Sequence, residues 1–524
     1  MVARFPLLLW VAAVVGCANP DPPLLGDHEI AFLRGGVLLS SPVEGGRPLG
    51  SNFFYVSRAW QAGEEVAIGA ASARAPEQAE CLPVYSVDLG DLSDLVAMGG
   101  EAPDTALAWS PDEGRLAVGS YRGEVLVLDG WTGEIQARRT MAETLIKQVR
   151  WSADGETLYV GEQSPDAMLY ALAADTLETR WSLALSDEVG SSPLSQGEDR
   201  YAIYDLPVVS GLDLLPDGSL LVAASHGWTE DGRRRNQSRV LKLDSGGRRL
   251  AAWPSEAADA TFLNFRLGRD KDLVAVTVNR SSEGPAPLDL PIFGLQVLDT
   301  DLRPVSQHVQ EPLEPWFHTA FLWEAVDVSR ERGVLQGFGD GRILVEDLEG
   351  EVQISLHTGT PVLAGEVPIA ASVGFGFFLE DGLVYSTSGT NIPWGTAVPD
   401  LRPPQPHPNE NAVWVRDREG APHWSWSGSQ DVQGLSLGAD DKTLVVGAGP
   451  RHADQRRDLY GALLFDLERQ DATGVERLQA VCSTEGPVFF RHAMTADGRL
   501  ALAEFPFLED GGSIHGAYRV TVMR

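Results

Sequence analysis

The stretch that decides how this chain is read is TALAWSPDEGRLAVGSYRGEVLVLDGWTGEIQARR, Thr105 to Arg139. It holds a short strand, a turn with Asp and Gly, an alternating strand, a second turn, another alternating strand and a final polar-rich strand. Asp and Gly suit tight turns because they tolerate positive φ at low cost. Alternation at period two, as in Leu116-Val118 and Val125-Val127, suits sheets stacked face to face. A second copy, KQVRWSADGETLYVGEQSPDAMLYALAADTLETRWSL, runs from Lys147 to Leu183 and aligns on Trp109-Ser110 and Trp151-Ser152.

The first turn recurs at Pro216-Asp217-Gly218, Arg269-Asp270-Lys271, Arg330 to Gly333, Glu380-Asp381-Gly382, Ala439-Asp440-Asp441 and Ala496-Asp497-Gly498, with a weaker copy at Gln61-Ala62-Gly63. The third strand recurs as RVLKLDSGG, GLQVLDTDL, RILVEDLEG, AVWVRDREG and GALLFDLER, mostly aliphatic alternation closed by Asp and a turn. The turn Asp residues Asp112, Asp154, Asp217 and Asp497 read as turn formers. Nine units at spacings of about 40 to 63 residues predict an all-β chain folded as a single β-propeller. A β-solenoid has shorter rungs, and a pair of sandwiches does not repeat one motif this often. Eight blades fit best, with seven and nine as alternatives, because one of the nine units is degenerate or split. The last unit lacks a fourth strand. The strand-like segment Glu29–Ser41 is expected to supply it, so that N-terminal and C-terminal strands pair and close the ring.

Two families share these patterns. WSPDEGRLAVGSYRGEVLVLD resembles WD-repeat or TolB-type blades. GETLYVGEQSPDAMLYALAADTLETRWSL and NAVWVRDREGAPHWSW, Asn411 to Trp426, resemble quinoprotein-type blades, which end a turn with Trp. These motifs describe blade packing and imply no particular chemistry.

The leader MVARFPLLLWVAAVVG has one positive charge, Arg4, and an apolar run too short to span a bilayer, which takes roughly 20 residues. Val14-Val15-Gly16-Cys17 resembles the lipobox of bacterial lipoproteins. That resemblance implies a signal peptide over residues 1–16 and a lipidated Cys17; a tether over 17–28 then leads to the propeller domain that the repeats predict, over 29–524. It also implies a cell-envelope location, outer membrane or periplasm in preference to inner membrane, with the membrane reached through the N-terminal lipid only.

Acidic residues outnumber basic ones by 74 to 41, a net charge of −33 that argues against nucleic-acid binding and favours a soluble monomer. Cys81 and Cys482 lie near opposite ends; in an exported protein they either pair or remain two unrelated thiols. No GxSxG nucleophile elbow at a strand-to-helix turn, no HExxH, no GxxxxGK[ST] and no strand-to-helix GxGxxG is present, so no catalytic residue, metal site or cofactor is assigned.

The second-to-third-strand loop is short at Ser120–Gly123 and Phe338–Gly341 and long at Ala224–Arg239, Asn279–Phe293, Ser388–Asn411, Gly447–Tyr460 and Glu504–Tyr518. Equivalent loops emerge on one face of a propeller, so these five would gather there. Ala224–Arg239 carries four Arg against one Glu and one Asp, and Gly447–Tyr460 three Arg against two Asp. Trp228, Arg233, Arg234, Arg235, Trp394, Arg451, Arg456 and Arg457 are therefore the candidate binding residues, Trp and Arg being enriched at binding hot spots. The alternative is a set of merely tolerated, solvated loops. Four of the five loops also carry a histidine, at positions 226, 407, 452 and 515. The expected function is a lipid-anchored scaffold binding an envelope protein or polymer. The alternative is a periplasmic hydrolase, lyase or quinone-dependent dehydrogenase with its site in the central pocket.

Overall fold

The computed structural model describes residues 30–34, 37–41, 54–57, 79–90, 105–191, 206–310, 325–390 and 407–524, apart from 121–122, 142–144, 231–232, 260, 281–292, 365–366, 429–430, 450–459, 470–471, 487, 505–506 and 509–513. Among them, groups of four antiparallel strands follow one another at residues 106–140, 145–184, 208–259, 261–309, 326–357, 371–427 and 431–483, and a group of three at 488–523, here blades 1 to 8. Blades 2 and 3 are also joined by a single bridge, Gln163 to Val208. The first strands of successive blades pack side by side, and that of blade 8 packs on that of blade 1. The chain is a β-propeller.

The ring closes through its two ends, but not with Glu29–Ser41. Blade 8 receives its fourth strand from Pro83–Asp88, which pairs antiparallel with Arg519–Met523. Ile30–Arg34 and Val37–Ser41 pair with each other instead, in a three-stranded sheet with Phe54–Ser57. The reason is positional. Pro83–Asp88 is the strand next before blade 1, so it occupies the place from which the other fourth strands feed the following blade. The weak turn at Gln61–Gly63, which displaced the expected strand upstream, lies outside the described residues.

A second device holds this end. Ala79–Glu80 runs parallel to Leu478–Ser483 on the outer edge of blade 7, so residues 79–88 cross from blade 7 to blade 8. Between the two strands, Cys81 forms a disulfide with the buried Cys482, their Cα atoms 4.7 Å apart.

The turn chemistry is that of side-chain caps. Asp112 Oδ1 accepts from Gly114 N and Ser110 Oγ, Asp154 Oδ1 from Glu156 N and Ser152 Oγ, and Asp217 Oδ1 from Ser219 N and Oγ. Asp497 takes Thr495 Oγ1 and Arg499 Nε. The Asp closing the third strand does the same at the next turn: Asp244, Asp299, Asp347 and Asp417 each accept the N–H groups two and four residues on. Such bonds preform the turn before the strands pair.

The core is a set of layers between blades. One buried cluster joins blades 1 and 2 through Val127, Ile146 and Val160, and another joins blades 6 and 7 through Val413, Val446 and Phe465. Close approach is set by a small residue at the fifth place of the second strand. A Cβ at Gly119 would lie 2.4 Å from Ile146 Cγ2, at Gly161 2.6 Å from Val209 Cγ1, and at Gly337 2.6 Å from Val373 Cγ1; each partner belongs to the next blade. An arginine at the start of the second strand reaches across the same interface. Arg115 lies over the Trp151 ring and bonds Gly155 O, Arg332 lies over Phe378 and bonds Leu379 O, and Arg499 lies over Trp109 and bonds Glu113 O.

Replacing Gly161 with Val should therefore cost about 1–3 kcal/mol by overpacking. Gly114→Ala, whose nearest neighbour would be 3.4 Å away, should stay within about 0.5 kcal/mol of the parent. Urea unfolding of the two variants makes the comparison.

Candidate functional site

In a four-stranded antiparallel sheet, the first and third turns lie at one end and the second at the other. The Asp-capped turns therefore share one face of the ring, and the second-to-third-strand connections share the opposite face. Only part of that opposite face is described. Trp394, Arg451, Arg456 and Arg457 lie outside the described residues, as do 281–292 of the Asn279–Phe293 loop.

Ala224–Arg239 is described except at its tip, and it is not a loop. Leu220–Glu230 and Arg233–Leu243 form one hairpin of eleven residues a side, in register from Leu220 opposite Leu243 to Glu230 opposite Arg233. Trp228 stands opposite Arg235, and Thr229 opposite Arg234. Second strands elsewhere in the ring are as short as five residues. The extra turnless ladder carries the tip about 20 Å beyond Ala224, at ~3.3 Å per residue. Polar composition suggested a loop; continued backbone pairing makes it a strand.

The base of this hairpin is fastened. Ser238 Oγ donates to Ser225 Oγ across the strands at 2.9 Å, both residues buried. His226, 4% exposed, sits 3.2 Å from Val189 O through Nδ1. Glu188, on the short helix Ser186–Val189, pairs with both Arg239 and Arg249. Arg239 also donates to Pro254 O and Ser255 O. The His226 and Arg239 side chains are thus structural, and the tip Arg233–Arg235 rests on a rigid stem.

Two smaller hairpins share this face. Phe507–Leu508 pairs with Ile514–His515 inside the blade 8 connection. Val362–Ala364 pairs with Val367–Ile369 between blades 5 and 6, with Leu363 58% exposed. The second lies between blades, outside the second-to-third-strand connections that stand out in the sequence by their length. His407 is buried, and its Nδ1 accepts from Asn409 N. Asn409 in turn bonds Thr358 O, so this histidine sits within a framework tying blade 6 to blade 5.

Two buried acids were missed. Glu162 and Glu504 occupy the same repeat position, directly after the small residue of the second strand (Gly161 and Ala503), in the blades flanking blade 1. Burial pushes both up to about 7; for Glu504 it outweighs the attraction of Arg519, whose guanidinium lies 2.9 Å away. Glu162 is 1% exposed, and its Oε1 has no hydrogen-bond partner. An acid following an otherwise apolar run of the strand, in LYVGE and LALAE, is the trace they leave in the sequence.

On the outer side, a cleft of about 480 Å³ between blades 6 and 7 is lined by His423, Trp424, Thr473 and Arg477. Arg477 is 1% exposed, lies over the Trp424 ring and donates to Ala472 O, Asp466 O and Leu467 O. Its guanidinium bolts the two blades together.

No family model matches the chain, and no curated protein sequence matches it. Solved structures share the architecture. The C-terminal WD40 domain of Sif2 aligns over 85% of this chain and 98% of its own, with a TM-score of 0.49 and 12% identity. The Dos1 propeller aligns over 84% and 94%, at 0.48 and 12%. BamB from Moraxella catarrhalis aligns over 84% and 96%, at 0.39 and 11%. These likenesses concern the fold.

Glu162 gives a test with a definite sign. Its folded value, about 7, lies above its ordinary 4.5. The stability it contributes is therefore full below about pH 4.5 and is lost as pH rises through 7. Glu162→Gln should match the parent near pH 4.5 and exceed it at pH 8 by up to about 3 kcal/mol, measured by urea unfolding at both pH values.

Proposed function

We propose that this chain is a lipid-anchored β-propeller lipoprotein of a bacterial envelope. In this reading it is a monomeric scaffold, and the face carrying the long connections binds an envelope protein or polymer. The observation that carries the reading is the blade 3 hairpin. It holds three consecutive arginines, Arg233–Arg235, at the end of a fastened stem in a chain of net charge −33. A cationic tip on an anionic body favours a partner with local negative charge, and the body's charge repels a uniformly anionic one. Trp228, opposite Arg235, adds an aromatic anchor of the type found at hot spots. Trp394, Arg451, Arg456 and Arg457 belong to the same proposed surface.

The Cys81–Cys482 disulfide supports an oxidising compartment outside the cytoplasm. Among the described residues no helix is long and apolar enough to cross a membrane; in this reading the membrane is reached through the lipid on Cys17.

Two experiments test the proposal. Replacing Arg233, Arg234 and Arg235 together with Gln should strip the partners recovered with the mature protein while leaving its melting temperature unchanged. An unchanged partner set would remove this face from the account. Separately, cells fed labelled palmitate should incorporate it into the wild-type chain and not into Cys17→Ser.

A further inference from the structure

Where blade 4 meets blade 5, three side chains are aligned in a way that ring packing does not require. Ser306 and His308 lie two residues apart on Pro304–Val309, the fourth strand of blade 4, so both point to the same side of the sheet. Ser306 Oγ is 3.0 Å from His308 Nε2, and His308 Nδ1 is 2.8 Å from Glu346 Oε2, on the third strand of blade 5. Glu346 is oriented in its turn: Gln336 Nε2 donates to Oε2 at 2.9 Å and Gln310 Nε2 to Oε1 at 3.1 Å. His308 and Glu346 are buried, 2% and 7% exposed, whereas Ser306 is only partly covered. Burial pushes the Glu346 carboxyl up, but the bonds from His308, Gln310 and Gln336 more than offset it and hold the group below its ordinary value.

We propose that Ser306, His308 and Glu346 form a nucleophile, base and orienting carboxylate that cleave carboxylic esters. The hydrogen-bond order, hydroxyl to imidazole to carboxylate, is what nucleophilic acyl transfer needs. A blade-to-blade bolt would need only the histidine and the glutamate; the partly exposed hydroxyl on the far imidazole nitrogen is the additional part. In the first step Ser306 Oγ bonds to the acyl carbon, its proton passes to His308 Nε2, and that proton leaves with the alcohol as the ester C–O bond breaks. In the second, water attacks the acyl-serine, His308 takes the water proton and returns it to Ser306 Oγ, and the carboxylic acid departs. Glu346 stays ionised throughout and holds Nδ1–H. Pro304–Val309 ends its sheet among the described residues. A strand edge at the rim suits an acyl group carried on an extended chain, and the net charge of −33 favours a neutral or cationic carrier over a polyanionic one.

The test uses the intact protein, a fluorophosphonate reporter and p-nitrophenyl acetate. The folded wild type should be labelled at Ser306, as located by peptide mass, and should release p-nitrophenol with a burst equal to one acyl group per chain. Ser306→Ala should lose both signals with an unchanged melting curve. Glu346→Gln, where it folds, should slow labelling at least tenfold. Absence of a Ser306 adduct on folded wild-type protein, or a burst that persists in Ser306→Ala, overturns the proposal.

Discussion

The seam between blade 8 and blade 1 is the contact on which the rest of the molecule depends. Each blade is a wedge whose two faces are buried only if it has a neighbour on both sides, so an open ring would expose two apolar faces at once. The seam is held by directional contacts. Trp109 Nε1 donates to Ala493 O, Thr105 Oγ1 meets the Tyr518 hydroxyl, and Arg499 stacks on Trp109 and Trp131 while bonding Gly130 O and Glu113 O. Tyr85, on the closing strand, lies against Gly133 of blade 1. Because the closing strand comes from the N-terminal side and blade 8 from the C-terminal side, neither end can leave without opening the ring. The disulfide adds a covalent link across 401 residues, tying the start of the closing segment to blade 7.

Several devices recur around the ring. A small residue on the second strand admits the next blade's first strand at Gly119, Gly161 and Gly337, an arginine at the start of the second strand covers an aromatic ring of the next blade at Arg115 and Arg332, and aspartates cap the turns. This explains why the fold could be read from the sequence. Asp and Gly at tight turns and period-two alternation are local requirements, and they leave a mark wherever they are met. Closure leaves no such mark. Glu29–Ser41 and Pro83–Asp88 both alternate, and only pairing with Arg519–Met523 distinguishes them. The hairpin 220–243 misled for the related reason that a polar composition does not reveal whether two strands stay in register. Glu162 and Glu504 were hidden among 74 acidic residues. Ser306, His308 and Glu346 met no known spacing, because two belong to one blade and the third to the next.

The two faces of the ring have unequal roles. One is spent on short aspartate-capped turns, whose carboxylates are held below their ordinary value by the hydrogen bonds they accept, as at Asp112 and Asp154. These groups stay charged and ordered, and they suit a solvated surface. The opposite face carries the connections that vary in length, including a hairpin set on a buried, ion-paired base. The turns and interfaces fix the ring, and the connections of the opposite face vary in length without entering those interfaces.

Hydrogen exchange, followed by mass spectrometry on the native protein, tests closure most directly. If the ring is closed as described, the amides of Pro83–Asp88 that bond to Arg519–Met523 exchange together with those of Leu500–Glu504, and only in global unfolding. Exchange of the Pro83–Asp88 segment at the rate of a free chain, with blade 8 still protected, would show that this strand does not hold the ring and would contradict the account.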